Sequence, residues 1–113
     1  MKQRGDDAEA LAAAYLEAQG LSLLQRNYHC RFGEIDLVMK QNDTIVFVEV
    51  RMRSHTAFGG AAASITASKQ QKLIRTAEHF LQQHGNAACR FDAILMNALD
   101  SSQIEWIRDA FNA

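Results

Sequence analysis

The sequence predicts an α/β domain, a mixed sheet of about five strands flanked by helices, with elements in the order α-β-β-β-α-β-β. Two stretches carry apolar residues at helical spacing between a capping residue and a glycine. Five others alternate or run apolar over strand lengths. No proline, Ser/Gly-rich spacer or repeat interrupts the 113 residues, so residues 1–113 read as one domain, long enough for a hydrophobic core without disulfides.

The first helix is expected from Asp6 to Gln19. Asp6 suits the N-cap with Glu9 three residues on; Ala8, Leu11, Ala12, Tyr15 and Leu16 form the apolar stripe, and Gly20 ends it. Leu21 to Cys30 contains a strand, followed by a turn or bulge at Arg31-Phe32-Gly33. Glu34 to Lys40 and Thr44 to Arg51 alternate around the polar Gln41-Asn42-Asp43 and predict a β-hairpin. Met52 to Ala67 is rich in Ala, Ser, Thr and Gly and predicts a long loop of the kind that often covers a site. Ser68, with Gln71 three residues later, is expected to cap a second helix carrying Leu73, Ile74, Ala77, Phe80 and Leu81 inward and closing at Gly85. Arg90 to Met96 and Gln103 to Arg108 predict two more strands, with Ala110-Phe111 as a C-terminal anchor.

Composition narrows the function classes. The N-terminal ten residues are polar and no run approaches a membrane span, so a cytosolic location is expected. Cys30 and Cys89, far apart in such a chain, are expected to be buried thiols. Twelve Lys and Arg against thirteen Asp and Glu leave a net charge of −1, which is not the footprint of a general nucleic-acid binder. A local patch exists, however. From Val50 to Ala77 lie Arg51, Arg53, Lys69, Lys72 and Arg75 and no acid. The last three step by i+3 along the second helix, a row that suits either a phosphate backbone or a solvated surface. His29, His55, His79 and His84 have no zinc-ligand spacing, and Trp106, Phe80, Phe91 and Phe111 fit core positions.

The hairpin carries the chemistry. With a two-residue turn at Asn42-Asp43, Gln41 pairs with Thr44, Met39 with Val46, Leu37 with Val48 and Ile35 with Val50, giving one apolar face. The same count sets Asp36 opposite Glu49 and Glu34 opposite Arg51 on the other face. Two carboxylates at cross-strand distance repel unless a proton or a cation lies between them. A shared cation, or acids that merely solvate an edge hairpin, both satisfy the spacing. Oxygen ligands without Cys or His favour Mg²⁺ or Mn²⁺, whose remaining waters suit phosphodiester hydrolysis.

Gly33-Glu34-Ile35-Asp36-Leu37-Val38 followed by Phe47-Val48-Glu49-Val50-Arg51 resembles the core of PD-(D/E)XK nucleases, and specifically the bacterial YraN-like family. The likeness extends over Ala8-Glu9, Tyr15-Leu16, Gly20, Arg26-Asn27-Tyr28, Lys69, Arg90-Phe91-Asp92 and Ala110-Phe111. It implies a restriction-endonuclease-like core and a metal-dependent nuclease acting on DNA or other nucleic acid, branched or structured DNA included. By the same resemblance Asp36, Glu49 and the Val50 carbonyl would hold Mg²⁺ or Mn²⁺. Glu9 would be the additional acid of related Holliday-junction resolvases, and Glu34 a supporting group. The residues of the basic patch, Arg53, Lys69, Lys72 and Arg75, are the candidates to meet nucleic acid, and a homodimer follows by analogy with related resolvases. Arg51 departs from the pattern, which has lysine there. Arginine stays protonated, so it can neutralise phosphate charge but not act as a general base. The alternative is therefore a nucleic-acid-binding module without turnover.

Overall fold

The computed structural model describes residues 3–52 and 65–111, with side chains from residue 7 onward. The elements are α1 (Gln3–Ala18), β1 (Ser22–Cys30), β2 (Gly33–Gln41), β3 (Thr44–Met52), α2 (Ala67–His84), β4 (Ala88–Met96) and β5 (Ile104–Phe111), with a 3-10 turn, Ser101–Gln103, before β5.

The five strands form one sheet in the order β1-β2-β3-β4-β5. Only β3 and β4 run parallel, because α2 carries the chain back between them; the other neighbours are antiparallel. Each helix buries its apolar stripe on one sheet face, so the sheet separates two cores.

On the first face Ala8, Ala12, Ala13 and Leu16 of α1 meet Leu37, Met39, Val46, Val48, Ile94 and Met96. Three small alanines let the helix lie close to the strands. Gly20, at φ +101, ends α1. Leu21 N–H donates to Leu16 C=O at 3.1 Å and Gly20 N–H to Glu17 C=O, the paired bonds of a glycine-closed helix end. The helix starts at Gln3, three residues before the expected start, so Asp6 lies inside it and not at its cap.

On the second face α2 packs Leu73, Ala77 and Phe80 against Val38, Phe47, Phe91 and Leu95. Phe80 meets Phe47 edge-on at 5.8 Å between centroids, while Phe47 and Phe91 stack at 5.5 Å. The cap of α2 is Thr66 and not Ser68: the Thr66 hydroxyl accepts from Lys69 N–H at 3.3 Å, three residues on, as capping geometry demands. Of the expected loop from Met52 to Ala67, Met52 ends β3, Ala67 begins α2, and residues 53–64 lie outside those described. The expected anchor Ala110-Phe111 is the end of a longer β5, with Phe111 stacked on Phe91 at 4.8 Å. No described helix is long and apolar enough to cross a membrane.

Asp92 is the buried acid of the fold, 1 % exposed in β4. Arg90 Nε pairs with it at 3.0 Å, and the Trp106 indole N–H and the Asp109 backbone N–H donate to it at 2.9 and 3.0 Å. These bonds hold β5 where its register against β4 shifts, and where Asp109 turns to φ +54. A buried carboxylate so fully bonded is a structural pin.

Candidate functional site

The hairpin register agrees with the sequence count over its first half and then breaks. Gln41 pairs with Thr44, Met39 with Val46 and Leu37 with Val48, and the ladder ends there. A regular antiparallel ladder would next join Ile35 to Val50 by backbone hydrogen bonds. Instead, Val50 N–H donates to Asp36 Oδ2 at 2.8 Å. Ile35 leaves the Leu37 and Met39 face and is buried in the α2 core, where one fully apolar hairpin face was expected.

The neighbouring strand changes face at the same place. Arg26 pairs with Leu37 and Tyr28 with Ile35, which leaves Asn27 across from Asp36, at φ +54. Asparagine tolerates this left-handed conformation better than most residues. Arg26 then reaches Glu9 of α1, whereas Tyr28 joins the α2 core. The coordinated irregularity opens β2 from β3 and seats Asp36 between two layers.

Asp36 there lies between Glu49 of β3 and Glu9 of α1, and each acts on its carboxyl. Burial, then the Glu49 charge and a hydrogen bond shared with Glu49, push the Asp36 carboxyl from 3.8 up to about 7; Val50 N–H and Glu9 pull less strongly the other way. Glu9 is raised as well, first by burial and then by Asp36, with Asn27 and Arg26 opposing. Asp36 is thus coupled to Glu9 on one side and to Glu49 on the other.

Arg51 Nη2 donates to Glu49 Oε2 at 2.7 Å, and Arg26 Nη2 lies 3.7 Å from Glu9 Oε1. That Glu9 oxygen is buried and accepts no hydrogen bond, an orphaned acceptor beside Asp36. An oxygen-only donor set with an orphaned oxygen fits a hard cation. Among the described residues no three His, Cys, Asp or Glu side chains converge on one point. The residues present would suit an ion such as Mg²⁺, which takes one or two carboxylates and keeps several waters, and would not form a closed cage.

Asp36, Glu49, Glu9 and Arg51, separate in the sequence, are thus brought together. Val50 contributes its N–H to Asp36, while its carbonyl belongs to the strand that pairs in parallel with β4. Glu34 stands apart: it is exposed, pairs with His29 of β1 and makes no described contact with the cluster; Arg51 pairs with Glu49 and not with Glu34. The ladder stops before reaching Glu34, which is why the counted pairing fails. Lys69, Lys72 and Arg75 are exposed on α2, and Arg53 lies outside the described residues. Glu49 and Leu73 border the same small gap between the sheet and α2. Cys30 is half-buried and Cys89 exposed, both free, where buried thiols were expected.

Sequence reasoning gave no role to Arg26 and Asn27, although both touch Glu9. An asparagine inside a strand-forming run was the available signal, since strands disfavour it and left-handed positions favour it.

Residues 8–96 match the uncharacterised protein family UPF0102. The chain belongs to that family. It is 74 % identical to the UPF0102 protein of Methylobacillus flagellatus over 113 residues, covering all of both chains. It is 62 % identical to a UPF0102 protein of Nitrosomonas europaea over 110 residues, covering 96 % of this chain and 93 % of that one. It is 53 % identical to the UPF0102 protein of Saccharophagus degradans over 112 residues, covering 96 % and 92 %. UPF0102 is the YraN-like family named by the hairpin residues, and its PD-(D/E)XK nuclease-like scaffold is the one described above. The matched span contains Glu9, Asp36, Glu49 and Arg51.

Proposed function

We propose that this UPF0102 protein is a metal-dependent nuclease-like domain that binds Mg²⁺ or Mn²⁺ and hydrolyses phosphodiester bonds in DNA or other nucleic acid, branched or structured DNA included. The observation that carries this reading is the opening of the β2–β3 ladder at Asp36, which places a strongly perturbed carboxyl against Glu49 and Glu9. Clustered perturbed acids mark functional sites more often than structural ones, and a purely structural sheet gains nothing from repelling carboxyls.

In this reading Asp36 and Glu49 would hold the cation together with the Val50 carbonyl. The ion supplies charge neutralisation at the phosphate and a more acidic water. Glu9, raised by burial, stands beside Asp36 to accept or return a proton. Arg51 turns its remaining donors to the phosphate oxygens, and Lys69, Lys72 and Arg75 hold the flanking backbone. A cytoplasmic location and a homodimer are part of the same reading.

The test is cleavage of single-stranded, duplex and four-way-junction DNA with Mg²⁺ or Mn²⁺ titrated into pure protein. Metal-dependent cleavage that vanishes in Asp36→Ala supports the site; cleavage that Asp36→Ala leaves intact would falsify it. The 2.7 Å pair between Arg51 and Glu49 favours one second reading: a binding module in which a permanent cation occupies the second acid and turnover is lost. That module binds nucleic acid with strong salt dependence and cleaves none.

A further inference from the structure

Beside the basic row, the turn between β1 and β2 approaches α2 and borders a cleft of about 330 Å³. It is lined by Arg31, Phe32, Arg75, Glu78, His79 and Gln82. Gly33 makes the approach possible: a Cβ there would lie 3.1 Å from Thr76 Oγ1, closer than ordinary packing allows. The helix therefore lies directly beneath the turn, and Lys72 abuts it.

The cleft has a layered wall. The Arg31 guanidinium lies 4.9 Å from the centroid of the Phe32 ring, and His79 meets that ring edge-on at 6.4 Å. His79 is itself held by a hydrogen bond between its Nδ1 and the Tyr28 hydroxyl, so the platform rests on the α2 core. Arg31 and Arg75 form no ion pair among the described residues despite Glu78 in the same wall. Two guanidiniums without a described ion pair, a half-buried aromatic ring and hydrogen-bonding side chains at the rim complement the chemistry of a nucleotide. The volume lies at the small end of ligand clefts, roughly 300–1,000 Å³.

We propose that this cleft seats one unpaired nucleotide of the strand being acted on, its base on the Arg31–Phe32 platform and its phosphate on Arg31 and Arg75. The proposal rests on the nuclease-like reading above and specifies its substrate class: nucleic acid with an unpaired base close to the reacting phosphate. Phe32 is four residues from Asp36 along the chain, roughly 13 Å at strand rise, so the seated base lies a few nucleotides at most from the carboxylate cluster. A paired base offers no free face to the ring, whereas an unpaired base stacks on aromatic and guanidinium planes alike. Glu78 and Gln82 at the wall can accept from the exocyclic amines of cytosine or adenine, which thymine lacks.

Fluorescence anisotropy in EDTA measures binding apart from cleavage. Single-stranded DNA and a blunt duplex of the same sequence are compared for the wild type, Phe32→Ala, Phe32→Leu, Phe32→Tyr and Arg75→Ala, each checked for folding by thermal melting. Phe32→Ala and Phe32→Leu are expected to weaken single-strand binding roughly 5- to 150-fold while changing duplex binding by no more than about twofold; Phe32→Tyr keeps the ring and the affinity. Arg75→Ala is expected to reduce the salt dependence of binding by about one counterion. Phe32→Leu folds with the aliphatic bulk retained, so its loss of affinity reports stacking and not collapse of the turn. A wild type that binds DNA, with affinity for both forms unchanged or lowered equally by the Phe32 variants, overturns the cleft alone. Competition by polyglutamate as effective as competition by single-stranded DNA also overturns it, in favour of an acidic protein partner. A wild type that binds no nucleic acid at low salt overturns the nuclease-like reading and the cleft with it.

Discussion

The Val50 backbone N–H donates to the Asp36 carboxylate at 2.8 Å, in the place where a regular ladder would have bonded it to the Ile35 carbonyl. A side chain thus substitutes for the main chain at the last rung. The strand edge stays satisfied while β2 and β3 part, and the parting admits Glu49 and Glu9 to the same carboxyl.

Stability should depend on Asp36 in a defined pH window. Its carboxyl is raised from 3.8 to about 7, so between those values the folded chain holds a proton that the unfolded chain has released. Stability therefore falls as pH rises through the window, and the deficit is complete above it, on the order of 4 kcal/mol at most. Asp36→Asn keeps an acceptor for Val50 N–H and removes the charge. In metal-free urea unfolding it should be more stable than the wild type at pH 8, by about 1–3 kcal/mol, with the gap closing as pH falls toward 4. The reverse order would remove Asp36 as the titrating group.

Divalent cations should stabilise the protein only where protons do not compete. With Mn²⁺ at about 100 times its dissociation constant, the gain is about 2.7 kcal/mol, seen as a rise of several degrees in melting temperature at pH 8 and little rise at pH 5. Glu49→Gln and Asp36→Ala should each abolish the rise. An equal rise in those variants places the ion elsewhere.

Arg51→Lys tests what arginine does to turnover. Lysine keeps the charge beside Glu49 but, unlike arginine, can give up its proton when partly buried. Cleavage in Mg²⁺ at pH 8 should rise over the wild type by roughly 10²-fold or more, the lower end of the 10²- to 10⁴-fold span of general acid–base catalysis. Wild-type cleavage that Arg51→Lys diminishes would show instead that the guanidinium fork is the working group.

Asp92→Ala should be among the most destabilising single changes in β4. It strands Arg90 and leaves the Trp106 and Asp109 N–H groups without their buried acceptor. A loss of about 3–5 kcal/mol is expected in urea unfolding, with an altered Trp106 fluorescence maximum in the folded state. Asp92→Asn, which retains an acceptor, should lose less.

Much of the architecture was legible in local pattern. The apolar spacing of Ala8, Ala12 and Leu16 and of Leu73, Ala77 and Phe80 identifies both helices and the faces they bury. Strand alternation and Asn42-Asp43 set the hairpin register as far as Leu37 and Val48. The caps were less legible. Ser68 and Thr66 carry similar hydroxyls two residues apart, and which one meets an orphan N–H depends on how the chain enters the helix.

Asp36 and Glu49 stand out in the sequence because alternation along two short strands is a nearest-neighbour property, set by backbone geometry whatever the rest of the chain does. The end of the ladder at Asp36, the left-handed turn of Asn27 opposite it and the arrival of Glu9 from α1 obey no local period. They arise because burying Ile35 and Tyr28 under α2, and Leu37 under α1, forces two neighbouring strands to change face together. That choice belongs to the packing of both layers at once, and it is what turns a counted pair of acids into a cluster of three.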